Sequence, residues 1–272
     1  MKRSLVLMCC LVPMAALAGC GDDDQDSPQV EYGLTWADEF EGPAGQLPDP
    51  AKWVFDIGTD WGNLQLEYDT NRPENVSLDG QGNLAITARE ESFQGQDYTG
   101  GRIKTKGLFE QATGRFEARI KLPEGQGIWP AFWMLGHNID QVGWPACGEI
   151  DIMEFLGHDP RTIYGTIHGP GHSGNGAIGN SHSIGQGGFN LGFHVYAIEW
   201  ETDRITWYVD GFKYHEVKKG EFPAGATWVY DHPFFMLLNV AVGGRWPGSP
   251  DETTQFPQTM LVDYVRVYGE LP

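Results

Sequence analysis

The chain has 272 residues, with 18 Lys and Arg against 37 Asp and Glu, for a formal charge of −19. An apolar share of 40% rules out a disordered chain, and the acidic balance argues against nucleic acid or anionic lipid as an electrostatic partner, since both need a basic footprint. With 37 Gly, 10 Trp and no long helical period, the composition indicates a mostly β protein of one large domain or two small ones.

Residues 1–19 read as a lipoprotein signal peptide rather than fold. Met1-Lys2-Arg3 is a positive start, and the apolar stretch at 5–17 is too short for a comfortable membrane span. It ends in Leu17-Ala18-Gly19-Cys20, small residues before a cysteine, which resembles the lipobox of bacterial lipoproteins. There, cleavage leaves the cysteine as the lipidated first residue. An ordinary secretory signal with a chance cysteine is the alternative. Residues 20–32 form an acidic tether, with Asp22, Asp23, Asp24 and Asp26 in its first part. The expected protein is exported and held on a bacterial membrane through Cys20 alone, at the outer membrane or cell surface. Cleavage removes Lys2 and Arg3 but no acid, so the remaining chain is two charges more negative. Cys9 and Cys10 leave with the signal and Cys20 is acylated, so Cys147 is the one thiol left. Neither a disulfide framework nor a zinc cluster follows.

Residues 33–272 form a single domain of short strands. Residues 83–88 (NLAITA) alternate after a Gly-rich turn, and 115–122 (RFEARIKL) alternate up to Pro123. The clearest hairpin joins 205–209 to 212–217 through Asp210-Gly211, a pair that tolerates positive φ. Residues 234–242 and 260–268 are further strands. No repeat, linker or amphipathic helix beyond about three turns appears. Many antiparallel strands without intervening helices indicate a β-sandwich or a barrel, and the pattern does not choose between them.

The most informative stretch is Gly148-Glu149-Ile150-Asp151-Ile152-Met153-Glu154-Phe155. Glu149 and Asp151 alternate with isoleucines and share one face. Strict alternation turns Glu154 to the opposite face, where a lone buried carboxylate costs several kcal/mol or is neutralised. One extra residue, a β-bulge at Ile152-Met153, restores the phase and brings three acids onto one concave face. Such acids repel, so at least one pKa rises and a proton is shared near neutral pH. Glycoside hydrolysis needs that state, with one carboxylate ionised as nucleophile and one carboxyl protonated as acid. The outer pair is roughly 13 Å apart between Cα atoms on a straight strand at about 3.3 Å per residue. Inward-leaning side chains on a curved strand can close this to the retaining separation of about 5–5.5 Å. A solvated acidic edge or a metal site are the other readings.

The surroundings favour sugar chemistry. In Trp129-Pro130-Ala131-Phe132-Trp133-Met134-Leu135 the two tryptophans share a face, while Phe132 and Met134 point to the core. Flat apolar rings stack on sugar faces, although Trp also fills cores. Trp144 stands just before the acids, and His168 ends a strand in Tyr164-Gly165-Thr166-Ile167-His168, where it can orient a carboxylate or serve structure alone.

These motifs resemble the bulge-containing branch of glycoside hydrolase family 16, the laminarinase-like endo-β-1,3-glucanases. The likeness runs through Leu34-Thr35-Trp36-Ala37-Asp38-Glu39-Phe40, Trp61-Gly62-Asn63, Asn75-Val76, Gly101-Arg102-Ile103, Asn239-Val240-Ala241-Val242-Gly243-Gly244 and Val262-Asp263-Tyr264-Val265-Arg266-Val267-Tyr268. It implies a jelly-roll sandwich of two curved antiparallel sheets (concanavalin A-like) with a cleft across the concave one. It also implies Glu149 as nucleophile, Glu154 as acid/base and Asp151 between them moderating the nucleophile. Trp129, Trp133, Asn63 and Arg102 match residues that contact sugar, His168 matches a cleft histidine, and Trp144 is taken as a further sugar contact. No cofactor is required for the chemistry. A structural calcium is implied at Glu39, the Gly82 carbonyl and Asp263, since hard oxygen ligands suit it. Two positions depart from the family pattern: Gln65 stands for a Glu, and Gly243-Gly244-Arg245-Trp246-Pro247 carries Arg245 for an Asn. Both bear on outer sugar contacts rather than on the reaction.

The expected activity is retaining endo-hydrolysis of β-1,3-glucan by a monomer. Mixed-linked β-1,3-1,4-glucan and β-galactan are alternatives within the same machinery. A sulfated galactan wants clustered cations, and only Arg102, Arg161 and Arg245 stand near the motif. A lectin-like binder has no need of all three acids, and a metalloenzyme lacks a His cluster with ligand spacing.

Overall fold

A computed structural model of the chain describes residues 32–271. Residues 1–31, which hold the expected signal and Cys20, and Pro272 lie outside the described residues. The strands assemble into two sheets, which decides for a sandwich over a barrel. The seven-stranded sheet runs in the order Ile178–Ser183, Thr162–His168, Glu149–Phe155, Ile128–Gly136, Phe234–Val242, Arg102–Lys104 and Val54–Asp56. The ten-stranded sheet centres on Gly114–Lys121, Gln258–Glu270 and Leu84–Phe93. One departure from a purely antiparallel build is the parallel pair Glu67–Asp69 with Gln96–Gly100. Among the described residues the α-helical content is one turn, Ile139–Val142, and no helix is long and apolar enough to cross a membrane.

Period-two patterning explains how the sheets pack. Leu84, Ile86 and Ala88 from one strand and Phe116, Ala118 and Ile120 from another are fully buried on the inner face of the larger sheet. They share one core with Phe132, Met134, Ile150 and Ile152 from the smaller sheet. The Asp210-Gly211 hairpin forms as expected, with both residues at positive φ (49° and 79°).

Glycine is needed at two places that shape the site. Gly148 enters the acid-bearing strand at φ 78°, and a Cβ there would lie 2.8 Å from the Phe234 ring. Gly165, on the neighbouring strand, faces Trp207, where a Cβ would lie 2.4 Å from the indole. The same Trp207 reaches across the core and donates from Nε1 to the Asp151 carbonyl at 2.8 Å. The register of the acid strand breaks immediately after Asp151, so the indole meets a main-chain acceptor where the ladder is interrupted.

The acids named for calcium are engaged by arginine. Arg266 forks both carboxylate oxygens of Glu39 at 2.8 and 2.9 Å, and Arg119 holds one oxygen of Asp263. What remains for a cation is the Glu39 and Gly82 carbonyls and the second Asp263 oxygen.

Candidate active site

The bulge lies where the sequence places it. Asp151 pairs with Trp133 and Met153 with Phe132, so Ile152 is the extra residue on the acid strand. On the other side Asp151 pairs with Thr166 and Glu154 with Tyr164. Ile150, Ile152 and Met153 are buried in the core, while Glu149, Asp151 and Glu154 all line one cleft of about 820 Å³. The adjacent strand contributes Trp129, Ala131, Trp133 and Leu135 to that cleft, alternating with the core residues Phe132 and Met134.

Each acid has a different set of donors. Glu149 Oε2 accepts from Trp144 Nε1 at 2.8 Å, and Glu154 Oε1 accepts from Trp129 Nε1 at 3.2 Å. Asp151, 3% exposed, has a buried Oδ2 with no well-formed hydrogen bond. His168 Nε2 lies 3.3 Å from that oxygen and 3.7 Å from Glu149 Oε1. Burial pushes Glu149 up to about 8, with the Asp151 charge adding to the effect. Burial alone pushes Asp151 up to about 8. Burial, then Asp151, hold Glu154 well above the usual carboxylate range. The three acids do not all ionise at neutral pH, and they share protons as one unit. Ligand atoms of Glu149, Asp151 and His168 lie within 4.8 Å of one another, a spacing that a divalent cation can bridge.

The remaining residues named from the sequence also gather here. Asn63, Arg102, Trp144 and His168 line the cleft together with Trp129 and Trp133. Their roles are less uniform than a stacking floor suggests. Trp133 donates to Asn239 Oδ1 at 2.8 Å, and its ring carries the Arg102 guanidinium at 4.7 Å. Arg102 is held between Trp133 and Trp61 and is paired with Asp56 at 2.9 Å. Trp144 is half exposed, its ring available to a ligand.

Several site residues escaped the sequence reading. Trp246 stands edge-on to both Trp129 and Tyr164. Asn239 and Asp56 fix Trp133 and Arg102 from separate strands. Glu67 and Asp69 are a second pair of fully buried acids. Burial pushes Glu67 up to about 7, and burial and the Glu67 charge push Asp69 upward. The alternation in Leu66-Glu67-Tyr68-Asp69 was the available signal: it puts both acids on one face of a strand.

A sandwich whose bulged strand sets three proton-sharing carboxyls in a tryptophan-lined cleft is built for cleaving glycosidic bonds. The chain belongs to glycosyl hydrolase family 16, whose family model matches residues 64–266, and it is a glycosidase. It is 39% identical over 279 residues to the beta-glucanase of Rhodothermus marinus, covering 98% of this chain and 94% of that protein. Among solved structures, the laminarinase catalytic domain of Thermotoga maritima MSB8 matches with a TM-score of 0.84 at 51% identity, over 89% of this chain and 100% of that one. The endo-beta-1,3-glucanase of Pyrococcus furiosus matches with a TM-score of 0.85 at 49% identity, over 90% of this chain and 97% of that one.

Proposed function

We propose that the protein is a retaining endo-β-1,3-glucanase of the laminarinase type. The observation that carries this is the bulge at Ile152, which turns Glu154 into the cleft that holds Glu149 and Asp151. In the first step the ionised Glu149 attacks the anomeric carbon while Glu154 gives its proton to the departing glycosidic oxygen. In the second, Glu154 takes a proton from water, the water oxygen attacks the same carbon, and the bond to Glu149 breaks. The donors suit these roles. Trp144 favours the ionised form of Glu149, whereas Glu154 has the longer contact and the environment that keeps it protonated. Asp151, between them, shares protons with both, so that Glu149 can be ionised while Glu154 is protonated. Trp144 and Trp246, half exposed in the cleft, offer rings to glucose faces.

The test is incubation of the chain with linear β-1,3-glucan, mixed-linked β-glucan and agarose, with Glu149→Gln in parallel. A ladder of short oligosaccharides from β-1,3-glucan, absent in the variant, is expected. Near-normal hydrolysis by the variant rejects Glu149 as nucleophile. Cleavage of agarose alone moves the activity to galactan. For an anionic galactan the cleft offers little: Arg102 is already paired, which leaves Arg245 as the cleft cation with no carboxylate within 4 Å among the described residues.

Two further readings rest on the sequence and the resemblance. The first is a monomer exported and anchored through a lipid on Cys20. Cys20→Ala is expected to release the protein from membranes, and partition like the parent rejects the anchor. The second is calcium held by the main-chain oxygens of Glu39 and Gly82 with Asp263. If it binds, EDTA lowers Tm and added calcium restores it; an unchanged Tm removes calcium from this protein.

A further inference from the structure

We propose that the main-chain N–H of Gly174 locks His168 in the Nε2–H tautomer, making the 169–177 loop a positioning element for the catalytic acids. The functional part of this inference rests on the glycosidase reading above; the tautomer itself does not.

The argument starts at the far side of the imidazole from the acids. Gly174 N lies 3.2 Å from His168 Nδ1, and a main-chain N–H can only donate. Nδ1 therefore presents its lone pair. A neutral imidazole carries one proton, so that proton sits on Nε2. Nε2 faces Asp151 Oδ2 at 3.3 Å and Glu149 Oε1 at 3.7 Å. Asp151 Oδ2 is buried without another partner, and His168 Nε2–H is the donor placed to serve it. The contact is long, as catalytic hydrogen bonds often are before substrate binds.

The loop is built to hold that amide in place. Gly169 and His172 exchange both main-chain hydrogen bonds, at 3.1 and 3.0 Å. His172 is buried, bonds the Pro170 carbonyl through Nδ1 at 3.1 Å and meets the Tyr230 hydroxyl through Nε2 at 2.8 Å. Gly171 packs so closely on the Gly225 carbonyl that a Cβ would lie 2.1 Å away. These anchors fix the turn that delivers Gly174 to the ring.

Two consequences follow. With Nδ1 accepting from Gly174, the neutral ring aims Nε2–H at Asp151 Oδ2 and Glu149 Oε1, and His168 is held in one orientation. A metal at the Glu149, Asp151 and His168 triplet would need the Nε2 lone pair, which the proton occupies, so the metal reading of this cluster loses its third ligand. The groups facing the ring are Glu149, Asp151 and Glu154 from the acid strand, the Trp144 indole at 6.1 Å and His172 from its own loop. Behind the acids stand Tyr230 and Arg102.

The decisive measurement is long-range proton–nitrogen NMR on the full chain with 15N-labelled histidine, across the pH range in which kcat/KM rises and falls. The parent is expected to show the neutral His168 ring as a single Nε2–H tautomer. A Nδ1–H tautomer, or a mixture of the two, in the parent overturns the proposal whatever the variants do. An ester in place of the Gly174 main-chain amide removes the donor and keeps the φ of 55°, which proline cannot adopt. It is expected to turn the single Nε2–H tautomer into a mixture of both and to lower kcat/KM several-fold, the loss falling on kcat. In a His168→Gln background the same replacement should leave kcat/KM where His168→Gln alone puts it; a further loss there means that Gly174 acts by another route. A locked tautomer in a protein that cleaves no glucan leaves the lock standing and rejects the glucanase reading instead.

Discussion

Glu149 and Glu154 are the same residue type on the same strand, and their neighbours separate their behaviour. Trp144 Nε1 sits 2.8 Å from Glu149, a donor that favours the carboxylate; Glu154 has a single donor at 3.2 Å. Trp144→Phe removes the Glu149 donor and keeps most of the ring. The pKa of Glu149 then rises further. Since attack needs the ionised form, the acid limb of kcat/KM should move to higher pH, which a pH–rate profile on β-1,3-glucan reads directly. Glu154→Gln tests the other role. It should cost about 10²–10⁴-fold on glucan, the usual range for a general acid, and far less on aryl glucosides, whose leaving groups depart unprotonated. Equal losses on both substrates would sink the acid assignment.

At the scale of the element, the acid strand depends on support from the other sheet. Its bulge was legible from Glu149, Asp151 and Glu154 alone, because regular alternation would have buried a charge in the core. What secures the bulge was not legible. Trp207 reads from sequence as one more aromatic of a hairpin, yet its indole donates to the Asp151 carbonyl where the ladder breaks. Trp207→Phe leaves that buried carbonyl without this donor and should destabilise the protein by roughly 1–3 kcal/mol, measured by denaturant unfolding. Activity should fall more than the small loss of folded protein explains, since Asp151 loses its fixed position. Wild-type activity would detach Trp207 from the site. The tryptophan strand shows a similar division. Trp129 and Trp133 share the cleft face as their spacing requires, but their Nε1 groups are directed to Glu154 and Asn239. Spacing fixes which face a ring occupies and is silent on which acceptor it meets.

Across the whole molecule, buried acids tie stability to pH. Glu67 rises to about 7, Glu149 and Asp151 rise to about 8, and Asp69 and Glu154 rise as well. Each folded pKa lies above the unfolded value near 4, so in this window the folded chain binds more protons than the unfolded one. Stability is then full below about pH 4 for these groups and is lost as pH rises through 7 and 8. Tm should fall between pH 5 and 8, and Glu67→Gln should flatten that slope and raise Tm at pH 8. A Tm that climbs across this range would contradict the burial of these acids. Much of the fold was legible in the sequence: alternation, the Asp210-Gly211 turn and the absence of helical period indicate a β domain, and the carboxylate spacing with its neighbouring tryptophans favours sugar chemistry, which the family resemblance narrowed to a retaining glycosidase. Those features are local, because a strand's period and a turn's φ are properties of adjacent residues. The strand pattern left sandwich and barrel open; the family resemblance implied the sandwich, and the two sheets form one. The tertiary structure alone decided that Asp56, Asn239, Trp246 and the Gly174 loop converge on the cleft from separate strands and turns, and that Glu67 and Asp69 are buried. Such contacts join residues distant in the chain, and local alternation puts two acids on one face without fixing whether the rest of the molecule covers that face.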